Sequence, residues 1–155
     1  MNPALKINLI VHIVVGLIAV AAFYAVLVNL LKSRLNFFSL RFFSLAGVIG
    51  IFLSWFTGGY YYAVYYGQAV KPIIKKSGYP WIHDVLMEAK EHVFLFLPFL
   101  AIVLALAIWF LESEILADEK LKRYLILTAG AAFVLGLFIV LMGMAISGAA
   151  NIKSG

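Results

Sequence analysis

Residues 93–111 read VFLFLPFLAIVLALAIWFL, nineteen positions without one acid or cation. At about 1.5 Å per helical residue this run is close to 28 Å long, the depth of a bilayer's hydrocarbon core. Three other stretches share the property: Ile7–Leu31, Phe42–Tyr66 and Tyr124–Ile146. The chain has 155 residues, 65% of them hydrophobic and 12% charged, which is more apolar surface than a soluble domain of this size can bury. A membrane β-barrel would need short segments alternating apolar with polar, and these are absent. The expected fold is therefore all-α. A single transmembrane domain over residues 1–155 forms an integral membrane four-helix bundle, running up, down, up and down.

Just ahead of the opening run lies Pro80–His92, PWIHDVLMEAKEH, with two of the three histidines and three of the seven acids. This is the expected amphipathic start of the third helix. Helical spacing puts Asp84, Glu88 and His92 one turn apart on one face, with Glu91 beside them and His83 and Met87 on the neighbouring face. Carboxylates and imidazoles at one-turn spacing are what a metal site on a helix requires. The same pattern also describes an ordinary solvated helix end.

Several classes of chemistry are excluded. With no cysteine, the chain has no disulfide, thiolate metal site or thiol nucleophile. No G-x-S-x-G, H-E-x-x-H, P-loop or dinucleotide fingerprint occurs, so no catalytic residue is assigned. The net charge of +5 sits in the loops between apolar runs, where lipid headgroups account for it better than nucleic acid does. The first run is too long for the core of a signal peptide and lacks an A-x-A-type cleavage site, so it is expected to be a span.

Within the first span Asn8, His12 and Gly16 recur every four residues and share a face. An ionisable side chain inside an apolar run is a functional candidate; the plainer reading is a neutral imidazole bonded to a neighbouring helix. The loop Lys32–Arg41 carries three cations and no acid, and its phenylalanines suit the headgroup level. In the second span Ala46, Gly50, Ser54 and Gly58 form a small-residue stripe that admits close approach of a helix or a flat macrocycle. The segment Trp55–Gly67, WFTGGYYYAVYYG, reads as an aromatic belt, with Tyr60 to Tyr62 held in reserve as proton or electron carriers. Gln68–Tyr79 reads as a connector. Pro98 falls inside the third run, where a kink could open room for a cofactor or water. Glu112–Arg123 reads as a solvated turn, and Ala132, Gly136, Gly143 and Ser147 as a packing stripe in the last span.

Lys and Arg divide evenly between the two sides of such a bundle. The flank after the first span (Lys32, Arg34, Arg41) outweighs the one before it, which places the termini and the histidine cluster outside. On this topology His12 and His92 start parallel spans at the same surface. They could ligate one haem iron, or share iron, copper, zinc or manganese with Asp84, Glu88, Glu91 and His83.

In helix number, in the positions of His12 and His92 and in the Ala46–Gly58 stripe, the chain resembles small prokaryotic four-helix membrane proteins of the b-type cytochrome kind. That resemblance implies haem b, electron transfer, an inner or plasma membrane, and His12 with His92 as axial ligands. Two other readings stay open. One is a site-free structural or assembly subunit of a larger membrane complex, or a homo-oligomer, joined through the small-residue faces. The other is an oligomeric transporter or channel subunit.

Overall fold

The structure is a computed structural model that describes residues 2–151, and the side chains of residues 2–149. Among the described residues it is all-helical, with no strand. Four helices are long and apolar enough to cross a membrane: α1 (Pro3–Leu30), α2 (Phe37–Lys76), α3 (Ile82–Phe110) and α5 (Glu119–Asn151). A short helix, α4 (Glu112–Ala117), lies between α3 and α5.

The first link is short and pinned by one side chain. Asn29 is buried, and its amide donates to the Asn36 carbonyl (3.1 Å) while its own carbonyl accepts from the Asn36 N–H (3.2 Å). Asn36 then caps α2, accepting from the Ser39 N–H at 3.0 Å. At the same end Arg41 meets Glu112 at 2.6 Å, tying the start of α2 to α4. Residues 112–117 are thus helical where the sequence suggested only a solvated turn.

α1 packs on α2 and α5, and α3 packs on the same two helices. The α1–α2 seam is the small-residue stripe. A Cβ added to Gly50 would stand 2.9 Å from the Ala19 Cβ and 3.1 Å from the Val15 carbonyl, so the two backbones nearly touch. Phe23, fully buried, lies over Gly47, and Val20 of α1 lies against Gly136 of α5. The stripe on α2 is therefore filled by α1, the helix partner rather than the macrocycle.

α3 shows how the core is drawn. Of its buried residues, His83, Met87, Leu97, Ala101, Leu104 and Ile108 fall on one seam, flanked by buried Ile82 and Pro98, with half-buried Lys90 and Phe94 completing the alternation of three and four. A main core of Ala19, Phe23, Val26, Leu30, Leu97, Leu104 and their neighbours fills the bundle.

α2 departs from expectation. Its 40 residues correspond to about 60 Å, twice the hydrocarbon thickness, and it continues as helix to Lys76 where a connector was expected. Tyr62–Val70 and, across the turn, Ile82–Met87 are wound as π-helix. Pro72 stands in the first turn after the π-helical stretch, where its missing N–H does least harm. The tail of α2, the start of α3 and the end of α5 enclose a second core of Tyr66, Ile74, Ile82, Met87, Ile146 and Ala149.

Candidate functional site

A row of small and polar residues runs along α2 at the heart of the candidate site. Ser54, Gly58, Tyr62 and Tyr66 follow at four-residue spacing, so the small-residue stripe runs on into two phenols.

At the inner end is His12. Its Nδ1 lies 2.9 Å from the Ser54 carbonyl and 3.1 Å from Ser54 Oγ. A carbonyl can only accept, so Nδ1 carries the hydrogen and Nε2 is left with its lone pair. The ring lies flush on Gly58, where an added Cβ would come within 2.6 Å of Cε1. One turn earlier the Asn8 amide donates to the Thr57 carbonyl at 2.8 Å. Asn8, His12 and Gly16 all face α2, as their spacing requires.

At the outer end, Tyr66 and His83 are both buried, and the Tyr66 hydroxyl shares a 3.0 Å hydrogen bond with His83 Nδ1. Tyr62 stacks on Tyr66, centroids 5.3 Å apart and planes 20° off parallel. Between these levels Lys90 turns inward. Its Nζ is 3.7 Å from where a Gly143 Cβ would stand.

The histidine–carboxylate face of α3 behaves differently. Asp84 pairs with Lys75 at 3.1 Å on the exposed surface. Glu88 and His92 are exposed, and His92 Nδ1 donates to the Glu88 carbonyl of its own helix at 2.7 Å. Of the expected ligand set, then, His12 faces α2 and His83 faces Tyr66, whereas Asp84, Glu88, Glu91 and His92 are exposed. Among the described residues no three His, Asp or Glu side chains gather to hold a metal ion. This donor set does not fit a carboxylate-bound metal.

A single imidazole ligand is another matter. His12 has the Nδ1-to-carbonyl bond that also orients metal-ligating histidines, and its ring rests on Gly58 of the facing helix.

Lys90 and Tyr66 are the interior residues that the sequence reading did not single out. The signal for Lys90 was present. Extending the seam of Leu97, Ala101, Leu104 and Ile108 back by sevens and fours reaches Lys90, Met87 and His83 and leaves His92 outside.

Fold and site together define an all-helical chain with four membrane-length apolar helices and a line of ionisable side chains at one end of the bundle. No protein-family model, no curated protein and no solved structure matches it.

Proposed function

We propose that this chain is an integral membrane four-helix bundle, its helices running up, down, up and down, that carries one haem at the termini-side surface for electron transfer, with His12 as its ligand. The observation that carries the reading is the His12 tautomer: Nδ1 is committed to the Ser54 carbonyl, and Nε2 is presented as a bare lone pair from a ring fixed against Gly58. Bound there, haem supplies one-electron exchange. The protein's own share is to orient the ligand and, through Tyr62, Glu91, Tyr66 and His83, to keep titratable groups within reach of the surface. Four helices of membrane length, each with a long charge-free run and apolar side chains exposed on its outer face, support insertion in a lipid bilayer.

A second reading is favoured by a specific observation. Asn8, His12 and Ser54 already satisfy one another across the α1–α2 seam, as in a protein whose buried polar groups serve helix packing alone. On that reading the chain is a structural or assembly subunit of a membrane complex. The absorption spectrum of detergent-purified protein, oxidised and dithionite-reduced, with elemental analysis of the same sample, separates the two. A Soret band with sharp reduced α and β bands is expected. Protein without haem or metal, prepared with both available and co-purifying with other subunits, sustains the structural reading instead.

A further inference from the structure

At the end of α1 far from His12, the fold brings together cations that lie far apart in the chain. Lys122, at the start of α5, reaches the link between α1 and α2, and its Nζ donates to the Lys32 carbonyl at 3.3 Å. Lys32 is the first charged residue after the charge-free run Ile7–Leu31, and Arg34 follows in the same link. No acid accompanies them. The link carries none, and three acids of the neighbouring segment are engaged elsewhere: Glu112 with Arg41 at 2.6 Å, Glu114 with the Ser113 hydroxyl at 2.9 Å, and Asp118 with the Lys120 N–H at 2.7 Å. The fourth, Glu119, stands exposed where α5 begins. Among the described residues only Arg41 and Lys75 form ion pairs, so Lys32, Arg34 and Lys122 have no acidic partner.

The chemistry of the triad calls for an anion with several acceptor oxygens. An ammonium has three donors and a guanidinium five, and the bond from Lys122 to the Lys32 carbonyl uses one of them. Phosphate is the natural complement. The surroundings select its source. Leu31 is exposed, and Phe38, at 82%, is the most exposed large apolar side chain among the described residues. The triad also stands where the apolar run of α1 ends, the level at which hydrocarbon gives way to phosphates. A soluble phosphate gains nothing from those apolar neighbours, whereas a lipid meets both. We propose that Lys32, Arg34 and Lys122 form a binding site for the headgroup phosphate of an anionic membrane phospholipid, with Leu31 and Phe38 entering the acyl boundary beside it. The site rests on the bilayer reading of the four helices and is independent of the haem.

Detergent-purified protein is titrated with phosphatidylglycerol or with phosphatidylcholine of the same acyl chains, and bound lipid per chain is counted by native mass spectrometry. Phosphatidylglycerol is expected to fill a first site, about one lipid per chain, at a lower concentration than phosphatidylcholine. A cation beside an anionic headgroup is worth about fivefold in binding. Lys32→Gln/Arg34→Gln/Lys122→Gln should therefore raise the half-saturation point about a hundredfold and erase the preference. Arg34→Gln alone, the variant to use if the triple one fails to fold, should raise it about fivefold. Lys32→Arg/Lys122→Arg should keep it, and so should Lys6→Gln/Lys71→Gln/Lys76→Gln at the opposite end of the bundle. Equal binding of the two lipids, or an equal loss in the two neutralised triples, overturns the site. Displacement of the lipid by an equal concentration of inorganic phosphate overturns the assignment to a lipid. If neither lipid binds, the bilayer reading falls with the site, a result distinct from the others.

Discussion

Gly58 and Gly59 are neighbours with opposite duties, and they allow a controlled test at the residue scale. A Cβ on Gly58 would stand 2.6 Å from the His12 ring, whereas one on Gly59 would meet nothing within 4 Å. Gly58→Ala should therefore lower thermal stability in detergent by about 1–3 kcal/mol, with Gly59→Ala close to neutral. Equal melting temperatures for the two variants would mean that His12 does not lie on Gly58. The buried Tyr66–His83 pair makes a second prediction. Tyr66→Phe removes the hydroxyl and leaves a buried imidazole nitrogen unpaired, at a cost of about 1–3 kcal/mol in the same assay. At this scale the sequence was informative about His12, because Asn8, His12 and Gly16 repeat every four residues and one face must meet one partner. It was silent about Tyr66, since five tyrosines in Trp55–Gly67 look alike until the partner helix is in place.

Among the elements, α3 was the most instructive. Reading outward from the charged residues gave the stripe Asp84, Glu88, His92; reading inward from the apolar seam gives His83, Met87, Lys90. The seam wins because burial of Leu97, Leu104 and Ile108 sets the rotation of the whole helix, and polar residues at its end follow. The seam also makes a prediction. Leu104 is fully buried and Leu106 is half exposed, so Leu104→Ala should destabilise by about 2–5 kcal/mol and Leu106→Ala by far less, as read from thermal melts. A reversed order would mean that α3 is rotated. The tail of α2 was not legible, because Lys71, Pro72, Lys75, Lys76 and Gly78 have the composition of a loop. What makes the tail helical is tertiary: Tyr66 and Ile74 are covered by Ile82, Met87 and the end of α5.

For the whole molecule, the four charge-free runs made the four long helices legible, because each is long and apolar enough to cross a membrane. Their pairing could not be read from composition, because small residues occur on both α2 and α5. Close contacts at Gly50, Gly58 and Gly136 decide it, and all three are made by α1. The bilayer reading predicts that the expressed chain stays with membranes through an alkaline carbonate wash and is released by detergent; release by the wash alone would contradict it.

The central claim is that His12, and not the exposed His92, presents a nitrogen to a cofactor. Haem content per chain in His12→Ala and His92→Ala, each purified beside the unaltered protein and checked for retained helicity, tests it most directly. The account predicts that His12→Ala loses the haem and His92→Ala keeps it. Haem retained in His12→Ala at the level of the unaltered protein would contradict it.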